Sequence, residues 1–207
     1  MAYASTEDVR LICGLTTTQI SDSDLNNLIN IATAQVNEDT STLIEDESII
    51  FVSTEKGNYI NGTNFTFYTR NEWLGDYNND GIITKDDVYV YSIDGNGLRT
   101  VLTVDSVDYR IGKFVLHAAP VNVRLYCTYR KAPVDMMNDT LVKLATSYLA
   151  AGFAYSKVNV GAVRSFSVGK ISVTKDNGFD KMYSAYANTI QKISKNWLGV
   201  GESADVV

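Results

Sequence analysis

Leu141 to Val158, LVKLATSYLAAGFAYSKV, is the stretch around which the rest of the chain must fold. Leu141, Ala145, Tyr148, Leu149, Gly152, Phe153 and Tyr155 recur at helical spacing. Val142, Leu144, Ala150, Ala151 and Ala154 fill the remaining sides. A helix that is apolar nearly all round is buried on all sides, in its own core or against copies of the same chain. A membrane span needs about 20 predominantly apolar residues. The Ala, Ser and Thr content, with Lys143 and Lys157, argues against one here. Next, Phe166 and Val168 alternate with serines, Gly169-Lys170 makes a two-residue turn, and Ile171 and Val173 alternate again, which predicts a type II′ hairpin. From Phe179 onward Met182, Tyr183, Tyr186, Ile190, Ile193 and Trp197 track one face of a last helix. The tail GVGESADVV reads as flexible when unbound.

Working back to the start, Ser5 or Thr6 caps a first short helix, Glu7 and Asp8 complement its N-terminus, and Gly14 ends it. Ser21 with Asp24 opens a second helix whose face is Leu25, Leu28, Ile29, Ala32 and Val36. From Ile49 the period changes to alternation. Strands are predicted at Ile49–Val52, Phe65–Tyr68, Val88–Ile93, Arg99–Val104, Lys113–Leu116 and Val121–Tyr129, with turns at Asn61-Gly62, Asp94–Gly97 and Ile111-Gly112. Pro133 marks the return to helix. The expected fold is α+β: a small helical bundle with a C-terminal β-hairpin and an inserted antiparallel β barrel or sandwich module. Residues 1–47 would supply the N-terminal helices, 48–132 the β module, and 133–207 the central helix, hairpin and last helix.

With 45% hydrophobic and 20% charged residues, the chain has the balance of an ordinary globular protein. A net charge of −6 with scattered Lys and Arg argues against a dedicated nucleic-acid binder, which needs clustered basic residues. Cys13 and Cys127 have no metal-ligand spacing and read as reduced, buried small residues. MAYASTEDV lacks a basic region followed by an apolar run, so no secretory signal is expected and assembly in a cytoplasm is favoured.

One local motif carries chemistry. Asp76-Tyr77-Asn78-Asn79-Asp80-Gly81-Ile82-Ile83-Thr84-Lys85-Asp86-Asp87 has the spacing of an EF-hand calcium loop and most nearly resembles a dockerin-type loop. Ca²⁺ takes six to eight oxygen ligands. The side chains of Asp76, Asn78, Asp80, Thr84 and Asp87 and the carbonyl of Ile82 are the expected metal ligands, with Gly81 permitting the sharp turn. Asp87 stands where many EF-hands have a bidentate Glu, and VYVYS after it prefers strand to helix. The competing reading is an acidic turn that binds nothing. No catalytic constellation emerges, so an enzyme is not expected. His117 lies beside Leu116 and Ala118, Cys127 lacks a partner that would make it a nucleophile, and Gly95-Asn96-Gly97 is hairpin punctuation. The thirteen tyrosines, many of them in the β module, read as strand filler or as an exposed contact face.

The order of segments resembles a known family. YASTEDVRLICGL with ISDSDLNNLINIATAQVNEDT is similar to the first two helices of head–tail adaptor (connector) proteins of tailed viruses. LVKLATSYLAAGFAYSKVNVGAVRSFSVGKISVTKD looks like their central helix and hairpin, and Phe179 to Trp197 like their last helix. The resemblance covers both ends of the chain and leaves the β module aside. It implies a homo-oligomeric ring, commonly dodecameric, between the portal protein and the tail or stopper protein. DNA would pass through its bore without sequence-specific binding, in the virion at the head–tail junction, with no membrane involved. An acidic chain suits such a conduit, because like charge keeps the passing polymer from sticking. The alternative from another class is a calcium-dependent binding module recognising a host glycan or protein through the β domain.

Overall fold

Ser5 opens the first helix: its hydroxyl accepts from the Asp8 amide at 3.2 Å, while Asp8 Oδ2 accepts from the Ser5 amide at 2.9 Å. In the computed structural model, which describes residues 3–49, 57–158, 165–168, 171–174 and 178–198, helix α1 spans Thr6–Cys13. It stops at Gly14, whose φ of 66° places it in the left-handed region that ends helices. Helices α2 (Asp22–Thr40), α3 (Thr140–Val158) and α4 (Gly178–Leu198) follow, and all the sheets are antiparallel, so the fold is mixed α+β. Among the described residues no helix is long and apolar enough to cross a membrane. The chain divides into two compact units, a helical one of Ala2–Val36 with Asn138–Val207 and a β unit of Asn37–Met137.

The helical unit is organised around α3, which packs against both α1 and α4. Asp139 Oδ1 caps α3 by accepting from the amides of Leu141 and Val142. Val142, Ala145, Leu149, Ala150, Ala151, Gly152 and Ala154 are buried, and full burial of a Val or Leu side chain contributes about 1.5–3 kcal/mol. Thr146 and Ser147 are buried too; their hydroxyls donate to the carbonyls of Val142 and Lys143 one turn back, so neither is an unsatisfied polar group. Lys143 pairs with Asp8 and Lys157 with Asp24, and Tyr155 Oη donates to Cys13 O at 2.6 Å. In α2 the predicted face holds, with Leu25, Ile29, Ala32 and Val36 buried. On α4 Tyr186 and Ile193 are buried, whereas Tyr183 is half exposed. Strands β9 (Ser165–Val168) and β10 (Ile171–Thr174) pair antiparallel, with Val168 opposite Ile171. The turn expected at Gly169-Lys170 and the tail from residue 199 lie outside the described residues.

In chain order the β unit contains β1 (Thr42–Ser48), β2 (Thr66–Tyr68), β3 (Leu74–Gly75), β4 (Val88–Ile93), β5 (Arg99–Leu102), β6 (Val104–Asp108), β7 (Lys113–Leu116) and β8 (Arg124–Lys131). One sheet runs β1-β8-β4-β5, with β3 also paired to β8, and a second runs β2-β7-β6. Val88 faces Tyr129, and Val90 faces Cys127; these residues and Leu125 are buried, as are Phe67, Phe114 and Leu116 of the second sheet. On the other face Tyr91 stacks on Tyr126 with centroids 5.3 Å apart, and the Arg99 guanidinium lies 3.6 Å from the Tyr91 ring centroid.

Several expectations need correction. Among the described residues no closed barrel forms, because β1 and β5 end the first sheet and no pairing joins them. The run Arg99–Val104 is not one strand. It breaks at Thr103, and its parts join different sheets, β5 pairing with β4 and β6 with β7. The last strand begins at Arg124 rather than Val121, since Asn122 has a φ of 52°, incompatible with an extended strand. Residues 42–47, expected within the N-terminal helical segment, belong to a strand, Thr42–Ser48, with an irregularity between Ile44 and Glu47 that includes Asp46 at φ 52°. The strand expected at Ile49–Val52 falls largely outside the described residues.

Candidate metal centre

The loop from Asp76 to Asp87 lies wholly in the β unit, entered from β3 and left through a short 3₁₀ turn at Lys85–Asp87 that leads into β4. The acidic residues at its two ends are fully buried. Asp76 accepts the amides of Asp80 at 3.1 Å and Gly81 at 2.6 Å, so the loop is wrapped around its first carboxylate. Gly81 at φ 82° makes that wrap possible. Asp87 Oδ1 accepts from the Tyr77 and Asn78 amides, and Oδ2 accepts from the Thr84 amide at 2.6 Å. Asn78 and Asp80 bond each other: Asn78 Oδ1 accepts the Asp80 amide, and Asn78 Nδ2 donates to Asp80 Oδ2. The Ile82 amide donates to Asp80 Oδ1, and Thr84 Oγ1 accepts from the Asp86 amide as the cap of the 3₁₀ turn.

Electrostatics follow from that burial. Desolvation pushes the Asp76 carboxyl up to about 6; the Gly81 and Asp80 amides act against it, and the charges of Asp87 and Asp80 add to it. Burial also raises Asp87, against the amides of Thr84, Asn78 and Tyr77. Among the described residues no Lys or Arg pairs with either carboxylate.

The donor chemistry fits a hard cation. Asp76, Asn78, Asp80, Thr84 and Asp87 all carry oxygen donors, the ligand type calcium takes, and two buried carboxylates lack a compensating charge. The structure brings these residues into one hydrogen-bonded loop. It does not gather three or more acidic, His or Cys side chains into one chelating group among the described residues, because the carboxylates turn to loop amides.

Two residues that the spacing does not announce touch this loop. Asn37, fully buried in the last turn of α2, donates from Nδ2 to Asp76 O and Asn79 Oδ1. Asn79 Nδ2 donates to Glu38, which also pairs with Arg130. The Asn79 bond, helped by the hydrogen bond and charge of Arg130 and opposed by burial, holds the Glu38 carboxyl below its usual value. A signal for Asn37 was present in the sequence: it follows Thr33 at i+4 beside the apolar stripe that ends at Val36.

The other residues singled out in the sequence lie as follows. His117 is exposed, with Nδ1 3.2 Å from Asp105 Oδ1. Cys13 and Cys127 are free thiols and buried, and burial, then the Glu47 charge, pushes Cys127 well up. Gly95-Asn96-Gly97 turns β4 into β5, with Asp94 O accepting from the Gly97 amide. No family model matches the chain, and no curated protein matches it.

Proposed function

We propose that this protein is a virion structural component, a head–tail adaptor forming an oligomeric ring between portal and tail through which DNA passes. The observation that carries this reading is that the two stretches bearing the resemblance fall together: apart from residues 37–40 they lie in one compact unit, Ala2–Val36 with Asn138–Val207, and the intervening residues in another. In this reading α1–α4 are the adaptor bundle, β9 and β10 its hairpin, and the β unit an inserted sandwich-like module. Leu11 at 88% exposed and Ile31 at 55% support subunit contacts, since both are large apolar side chains on the helical unit. The function is geometric, and the ring is commonly dodecameric in the family resembled. Light scattering and negative-stain imaging test it, on the protein alone and mixed with the portal of its particle. Rings are expected, together with density at the head–tail junction of purified particles. A protein monomeric under both conditions and missing from that junction overturns the reading.

The loop is proposed as a structural calcium site of that module. The ion would be held by Asp76, Asn78, Asp80, Thr84, Asp87 and the Ile82 carbonyl, and it supplies positive charge to buried carboxylates. A second reading, calcium-dependent recognition of a glycan or protein, is favoured by a groove of about 300 Å³ beside the loop, lined by Tyr77, Lys85, Asp86 and Tyr89 among others. Binding to host surfaces that is lost in chelator and unaffected by ring formation would select it.

A further inference from the structure

Asn37 stands 39 residues before Asp76 in sequence, yet its carboxamide reaches into the loop. Nδ2 donates to Asp76 O at 2.5 Å and to Asn79 Oδ1 at 2.6 Å, so both amide hydrogens are used. Oδ1 is buried and has no hydrogen-bond partner among the described residues. A backbone carbonyl can only accept, so the bond to Asp76 O fixes which end of the carboxamide faces the loop. The side chain is thus oriented wholly by the loop, with its acceptor idle. Asn79, the other residue it holds, sits at φ 60°, a conformation uncommon outside glycine, and is pinned from a second side by Glu38. Close approach makes the contact possible: a β-carbon on Gly75 would lie 3.1 Å from Arg130 Cβ, 3.3 Å from Ser41 Cβ and 3.5 Å from Asn37 Oδ1. The strand that delivers Asp76 is therefore pressed onto the end of α2.

We propose that Asn37 is the positioning residue of the calcium loop. It fixes the first and fourth residues of the loop from the last turn of α2, so that cation affinity depends on that turn and occupancy is returned to it as rigidity. The inference rests on the calcium reading of the loop. Partners that orient metal ligands from outside the coordination shell typically change affinity about 10–100-fold when removed. Coupling between two such elements is reciprocal: whatever Asn37 adds to calcium binding, calcium adds to the Asn37 contacts.

Titration calorimetry with calcium chloride on the full chain, joined to amide hydrogen exchange over residues 37–41, tests this. Asn37→Ala and Asn79→Gly are both expected to bind calcium about 10–100-fold more weakly than the parent. Asn79→Gly keeps the left-handed backbone while deleting the contacts to Asn37 and Glu38, so it tests the contact even if Asn37→Ala fails to fold. Calcium should slow exchange over 37–41 in the parent and leave it nearly unchanged in Asn79→Gly. Asn79→Gly binding as tightly as a calcium-binding parent, or parent exchange over 37–41 indifferent to calcium, overturns this proposal alone. A parent that binds no calcium overturns it together with the calcium reading.

Discussion

Gly152 on α3 faces the Phe179 ring on α4: a β-carbon at Gly152 would lie 3.3 Å from Phe179 Cδ2 and 3.5 Å from Met182 Cβ. The tight contact is therefore inside the chain. Gly152→Leu should overpack it and lower the stability of the helical unit by about 1–3 kcal/mol. Gly152→Ala needs the ring to yield a few tenths of an ångström, offset by a helix propensity gain of up to about 1 kcal/mol, and should be close to neutral. Chemical denaturation of both variants measures this, and equal stabilities would remove α4 from that contact.

Gly112 offers no such latitude. Its φ is 61°, and a β-carbon there would lie 2.2 Å from both Asn71 O and Thr69 Oγ1, while its own carbonyl accepts the Thr69 amide at 2.8 Å. Gly112→Ala should destabilise the β unit by about 2–4 kcal/mol, through backbone strain and the displaced Thr69 contacts together. A melting curve matching the parent would mean that this turn opens at little cost.

Calcium should stabilise the β unit selectively. A ligand that binds only the folded state contributes about 2.7 kcal/mol at a hundred times its dissociation constant. EDTA is expected to lower the melting temperature of the β unit, calcium to restore it, and Asp80→Ala to abolish the difference. Magnesium should do less, because it demands a tighter octahedron and keeps its waters. Melting indifferent to chelator and calcium leaves an acidic turn held by its own amides.

In chelator, the same unit should gain stability on mild acidification. The folded Asp76 carboxyl titrates near 6 against an ordinary 3.8, so between those values the folded state binds more protons than the unfolded one. The destabilising charge is fully present at neutral pH and is relieved as pH falls through 6 towards 4. It is worth on the order of 2–3 kcal/mol. Other carboxylates, Glu38 among them, shift the opposite way, so the difference between parent and Asp76→Asn is the quantity to follow. It should move in favour of the parent as pH falls; a constant difference would mean that Asp76 is hydrated.

The helices were legible because each carries its own signals: the Ser5–Asp8 cap, the glycine after Cys13, and the stripe from Leu25 to Val36. Val88–Ile93 and Lys113–Leu116 were legible as short strand-like runs between turn residues, and in the second burial alternates. Thr103 was not. Arg99 to Val104 alternates through it without glycine or proline, and only pairing to two different sheets breaks the strand there. Strand β1 was hidden by its acidic residues, one of which, Asp46, leaves extended geometry. In the loop the spacing revealed the oxygen donors but not Asn37, whose role depends on a contact between segments far apart in sequence.

Helix α2 also bears on how this chain can be taken apart. Its residues up to Val36 belong to the helical unit and those from Asn37 to the β unit, so one of the two seams falls inside a hydrogen-bonded helix. Shuffling the β unit onto another scaffold by cutting at loops is therefore blocked on one side. A cut after Val36 leaves the graft with residues 37–40 as a loose end, without the preceding helical turn whose carbonyls accept their amides. A cut after Thr40 leaves the remnant with an asparagine whose two acceptors have gone. Recombination that transfers this module intact must carry a helical turn with it.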